Sequence, residues 1–223
     1  MTTATTAAEA FDRYQHAYDV GALVQGSWHE RNGKDLACAL GVIGDEVNGV
    51  SDCPAEVMPR WLAQQTVWFF DGQSFDDAKT WGLAFYAELK RLGGKVPFSV
   101  IHDWQANVVG PLAIKTAEKQ SRDKAAHEAL MTMQAKALGG EKFTADQWRP
   151  ILKAAFLDIY KWRYRAYADA DADAYAYAYA YADAYAYANA YANANANAYR
   201  TRMKALADGM VDCLKRVPTP EPA

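Results

Sequence analysis

The chain has little of what most active sites are built from. Its 223 residues hold 3 cysteines and 4 histidines, with no CxxC, HxxxH or HExxH spacing. Cys38, Cys53 and Cys213 therefore favour a reducing cytosol over a disulfide scaffold. GxSxG and paired-carboxylate patterns are missing. Gly33-Lys34 lacks the upstream glycines of a phosphate loop, and Gly44 and Gly49 are too isolated to form one. A net charge of −3 leaves no basic footprint for nucleic acid. No apolar run reaches membrane-spanning length, and residues 1–9 have neither a basic stretch nor an apolar core of the secretory kind. The expectation is a cytoplasmic protein with no cofactor, bound neither to membrane nor to nucleic acid.

What the chain does have is an unusual stretch at 166–199. Every even-numbered residue there is Ala, and every odd-numbered one is Tyr, Asp or Asn. Period two invites a strand. One strand of this length would run roughly 110 Å, far beyond ordinary strands. Hairpins would need turn residues, and the stretch holds no Gly or Pro. Ala is the best helix former, whereas Ala, Asp and Asn are poor strand formers. The reading is helix, about 51 Å long. Tyr175 and Tyr179, Tyr177 and Tyr181, Tyr181 and Tyr185, and Tyr187 and Tyr191 then stack at i,i+4. These tyrosines form a candidate partner-binding array, with Ala allowing close approach of a second helix. Tyr, Asp and Asn codons can differ at the first base alone, so slippage of a six-nucleotide unit could also generate the pattern.

The rest of the chain reads as helices. Residues 7–19 carry Phe11, Tyr14 and Tyr18 on one side, with Gly21 as a stop. DLACALGVI, 35–43, reads as a short helix ended by Gly44, and 48–52 as loop. Pro54 fits a first helical position, and Pro59 restarts a helix through Trp61, Leu62, Val67, Trp68 and Phe69. Ser74 is a good N-cap for a helix carrying Trp81, Leu83, Phe85, Tyr86 and Leu89, stopped by Gly93-Gly94. Pro97 starts another, which Gly110-Pro111 breaks. Residues 125–138 form the next, closed by Gly139-Gly140. Thr144 and Gln147 match a capping box, and Pro150 should kink the helix they open. Met203, Leu206, Met210, Leu214 and Val217 return to helical spacing before Pro218.

No segment reads as a convincing strand, so the expected class is all-α. The expected organisation is a multi-helix globular domain, 1–143, a long Ala/Tyr-rich helix or helical hairpin, 144–217, and a disordered tail, 218–223. Lys161, Arg163 and Arg165 before the repeat would meet Arg200, Arg202 and Lys204 after it in a mid-repeat hairpin. Their repulsion favours an off-centre break.

Few residues suggest chemistry. His102-Asp103-Trp104 is the best polar cluster, and a His–Asp pair can do general acid–base work. Neighbours in sequence point to different helix faces, which favours a cap or a surface pair. His29, Cys38, Cys53 and His102 would hold zinc only if the fold gathered them, because close ligand pairs are missing. Cys38, in an apolar segment, reads as a small core residue.

GKDLACALGVI (33–43), CPAEVMPRWLA (53–63), HDW (102–104) and the Ala/Tyr/Asp run after Trp162 resemble a group of bacterial and phage proteins. That group combines a CALG-like segment, a Pro-Trp-Leu helix and a long Ala-rich helical tail. The tail is also similar to that of immunity proteins associated with polymorphic toxins. The resemblance implies a non-enzymatic protein that occupies a protein partner, and it supplies no catalytic residues. The strict period of two departs from the spacings of three and four in that group. A self-associating assembly component built on the repeat, and an enzyme centred on His102 and Asp103, are the alternatives.

Overall fold

Thr6 shows how the chain starts its helices. Its hydroxyl accepts from the Glu9 amide at 3.2 Å, and the Glu9 carboxylate takes the Thr5 amide at 2.7 Å. Two amide groups near the helix start are satisfied, and α1 runs over Ala7–Asp19. A computed structural model describes residues 2–31, 35–163 and 196–220. Among these the elements after α1 are a β1–β2 pair (His29–Arg31 and Asp35–Ala37), 3-10 turns at Gly41–Ile43 and Val50–Asp52, and α2 (Arg60–Gly72). Then come α3 (Phe75–Leu92), α4 (Ser99–Trp104), a π turn (Gln105–Val109), α5 (Gly110–Lys119), α6 (Ala125–Leu138), α7 (Ala145–Arg163) and α8 (Ala196–Arg216). The class is all-α. Chain contacts divide it into two compact units, 1–97 with 203–223, and 98–202. The anticipated boundary at 143/144 falls inside the second unit.

The first unit is built on α1, α2, α3 and the later turns of α8. α1 packs along α3. Tyr14 and Tyr86 stack there at 4.9 Å between centroids, and Trp81 stacks on Phe85 at 4.8 Å. Leu40, Ile43, Phe69, Phe70 and Leu89 are fully buried with them. Ser74 caps α3 through the Asp77 amide. At its other end Gly93 takes the left-handed conformation (φ 58°), and the Gly94 amide reaches back to the Leu89 carbonyl. The apolar stripe of α8, Met203, Leu206, Ala207, Met210 and Leu214, is buried at the expected spacing. The Trp81 indole N–H donates to the Ala207 carbonyl at 2.9 Å, joining α3 to α8.

Two expectations for this unit need correction. Residues 35–43 are not a helix: Asp35–Ala37 pairs antiparallel with His29–Arg31, and only Gly41–Ile43 coils, as a 3-10 turn. Both partners of Ala37 are satisfied on its far side too, since it donates to the Ala22 carbonyl and accepts from the Val24 amide, each at 3.0 Å. That second partner favours extended backbone over helix here. Pro54 opens a turn, not a helix, and α2 begins only at Arg60.

In the second unit α6 packs against α4, the π turn, α5 and α7. Trp104 is fully buried, with Val100, Ile101, Val109, Leu130 and Ile159 close to it in burial. Gly110-Pro111 does not break the helix. Pro111 has no N–H and crowds the carbonyl four residues back, so the backbone widens before it. The Gly110 amide bonds the Gln105 carbonyl, five residues back, and α5 continues to Lys119. The capping box of α7 forms, with the Thr144 amide on Gln147 Oε1 at 2.8 Å and the Gln147 amide on Thr144 Oγ1 at 3.4 Å. Pro150 lies inside α7. Of the repeat, residues 166–195 lie outside the described residues, and so do Tyr175, Tyr177, Tyr179, Tyr181, Tyr185, Tyr187 and Tyr191. Among the described residues no helix is long and apolar enough to cross a membrane.

Candidate functional site

α4 carries His102 and Asp103 to different neighbours. His102 Nδ1 lies 2.6 Å from Gln134 Oε1 on α6. That contact makes Nδ1 the protonated nitrogen, since the amide oxygen can only accept. The imidazole stacks on Trp148 of α7 at 5.8 Å and 5° between planes, and the Phe98 ring stands perpendicular to it at 5.4 Å. Phe143 meets Trp148 edge-on at 5.6 Å. Asp103 is buried, and its Oδ1 accepts from Asn107 Nδ2 at 2.7 Å. One side chain therefore fastens α4 to α6 and α7, while the other anchors the next turn of its own helix. The expected His–Asp cluster is thus two separate bracing contacts.

A second histidine that the sequence did not single out has an ionic partner. His127 of α6, 2% exposed, lies 3.0 Å from Asp158 Oδ2 of α7. The same oxygen receives the Arg122 guanidinium. The helical spacing of α6 places His127 on the face that Leu130 and Gln134 bury. That position is the one sequence signal it carried.

Burial disfavours ionisation of the Cys38 and Cys53 thiols. Desolvation pushes the Cys53 thiol up to about 12, and raises that of Cys38 as well. Cys38 Sγ also accepts the Gly41 amide at 3.4 Å. Among the described residues no three His, Cys, Asp or Glu side chains come together in a way that could hold a metal.

A concave surface among the described residues lies elsewhere, in the first unit. A cleft of about 510 Å³ runs between α1 and the β1–β2 pair. From α1 and the residue that follows it the cleft takes Asp12, His16 and Val20, and from the strands His29, Glu30 and Leu36. Gly41 and Val42 close the floor. A Cβ on Gly41 would stand 2.2 Å from the Trp28 carbonyl oxygen, so only glycine lets the 3-10 turn come this near the strand. The Arg13 guanidinium, at the edge, donates to the carbonyls of Thr2 and Ile43 and ties the N-terminal segment to that turn. His29 Nε2 approaches the Val47 carbonyl at 3.2 Å. The lining is scattered over residues 12–45, which hid it from motif reading.

No protein-family model, no curated protein and no solved structure matches the chain.

Proposed function

We propose that the chain is a non-enzymatic protein-binding protein, of the immunity kind that its sequence resembles, working in the cytoplasm without a cofactor. The observation that carries the reading is the engagement of its reactive side chains in holding the fold. His102 is clamped by Gln134 and Trp148, Asp103 by Asn107, and the thiols of Cys38 and Cys53 resist ionisation. A general acid–base or a nucleophile needs a poised proton and access to substrate. Free thiols at Cys38, Cys53 and Cys213 accord with a reducing compartment. What the surface of the first unit offers is a shaped, partly apolar concavity with charged edges, the kind of feature that seats another molecule.

The test is co-purification with the full-length chain from its own source, followed by reconstitution with the captured protein. A single heterologous partner that binds the purified chain in a fixed ratio is expected. Capture of nothing, or of further copies of the chain alone, would overturn the reading, the second outcome pointing to an assembly component.

A further inference from the structure

We infer that Asn48 is a site of spontaneous deamidation, at which the Gly49 backbone nitrogen displaces the side-chain nitrogen and the main chain can reroute through the side chain. The pair lies between the 3-10 turns at Gly41–Ile43 and Val50–Asp52. Asn48 is exposed and belongs to no helix or strand. Its Nδ2 donates to the Asp45 carbonyl at 3.4 Å, a long contact that holds the side chain weakly. Gly49 has no side chain to shield its nitrogen, and among the described residues its N–H has no hydrogen-bond partner. Asn is one of the heat-labile residue types. Here its amide carbon is loosely held next to an open nucleophile.

The reaction needs only water. The Gly49 nitrogen bonds to Asn48 Cγ, the Cγ–Nδ2 bond breaks, and Nδ2 leaves as ammonia with the proton that Gly49 gives up. The cyclic imide that remains is opened by water at either carbonyl. One opening leaves an aspartyl residue, the other an isoaspartyl residue whose main chain runs through Cγ. No electrons are gained or lost. Both products place a carboxylate beside Asp52, whose Oδ2 accepts the Asn48 amide at 3.1 Å, and like charges repel there. The change also reaches the cleft, because the His29 imidazole in its wall lies 3.2 Å from the carbonyl of the adjacent Val47.

The experiment ages the full chain in neutral buffer at physiological temperature and maps it with trypsin. The other Asn-Gly pair, Asn32-Gly33, lies outside the described residues. Cleavage after Lys34 and Arg60 separates the two and leaves Asn48 as the one Asn, with no Gln, in peptide 35–60. That peptide should gain the mass difference between O and NH as the chain ages. Part of the product should accept methyl groups from S-adenosylmethionine on an isoaspartate-specific methyltransferase. Asn48→Gln should abolish both signals. Gly49→Ala should slow them several-fold: φ of −159° suits any residue, and the added Cβ would meet only the side chains of Asp52 and Ser51, so the fold is kept, as circular dichroism checks. The His29 ring resonances should shift in the aged chain and stay in place in aged Asn48→Gln. No mass gain in peptide 35–60, a gain only in urea-unfolded chain, or an undiminished rate in Gly49→Ala would overturn the inference. Unmoved His29 resonances would overturn the link to the cleft. No partner protein takes part, so these outcomes are independent of the protein-binding reading.

Discussion

The hydroxyl of Tyr14 lies directly over Gly82. A Cβ at Gly82 would stand 2.0 Å from that oxygen and 2.1 Å from the ring carbon bearing it. The missing side chain on α3 lets α1 settle close enough for Tyr14 to reach the carbonyl of Lys79 at 3.2 Å and to stack on Tyr86. The Tyr14 ring is fully buried and cannot swing aside. Gly82→Ala should therefore destabilise the chain by ~3 kcal/mol, the upper range for overpacking, measured by urea denaturation. Tyr14→Phe, which removes only the hydroxyl, should cost ~1 kcal/mol. Gly72→Ala is the contrast. There the Cβ meets only the Met203 side chain, its methyl at 2.6 Å and its Cγ at 2.9 Å, so the cost should be smaller, ~1 kcal/mol.

Arg91 closes the end of α8. Its guanidinium donates to the Leu214 carbonyl at 2.8 Å, to that of Val217 at 2.9 Å and to Thr219 Oγ1 at 3.0 Å. The last carbonyls of a helix have no partner within it, and a planar fork suits them better than an ammonium. Arg91→Lys should cost ~1 kcal/mol. Hydrogen exchange should show faster opening confined to the last turn of α8, whereas unchanged protection there would refute the role.

Alkaline pH should weaken the fold through Cys53. Burial lifts its thiol from an ordinary value of 9.0 to about 12. Below pH 9 both folded and unfolded chains hold this proton, so it leaves stability unchanged. Between pH 9 and about 12 the unfolded chain releases the proton and the folded chain keeps it, so stability falls as pH rises. Urea denaturation at pH 8 and pH 10.5 should show a smaller loss in Cys53→Ser than in the original chain. Equal losses would show that this thiol ionises in the folded state as readily as in the unfolded one.

Asp158 serves Arg122 and His127 through one oxygen. Asp158→Ala should cost ~2 kcal/mol, because the buried His127 ring nitrogen loses its acceptor. Asp158→Asn keeps an acceptor and loses the charge, so its cost should be about half as large. Thermal unfolding distinguishes the two; equal costs would mean that the acceptor contributes nothing.

Much of the helical framework was legible because its stops are local and chemical. Ser74 with Asp76 and Asp77, Gly93-Gly94, Thr144 with Gln147 and Gly139-Gly140 each mark an end within a residue or two. Cys38 was legible as a core residue from its apolar company. What escaped was decided by partners distant in sequence. DLACALGVI has the apolar content of a buried helix, but Ala22 and Val24 hold Ala37 extended from the other side. His102 and Asp103 are adjacent in sequence, and α4 parts them toward Gln134 and Asn107. The cleft residues share no motif, since α1 and the strands reach it from opposite directions.

The π turn before Pro111 leaves a mark on the rhythm of its helix. Buried positions run Val100, Ile101, Asp103, Trp104, Gln105 and Ala106, then Val109, Ala113, Thr116 and Ala117. Four successive residues, 103–106, are shielded at the entry to the wide turn, more than a single stripe on an ordinary α turn covers. Beyond it Val109, Ala113 and Ala117 resume one place in four. The extra residue is the slack that lets one helix pass a proline and keep an inner face on both sides of it.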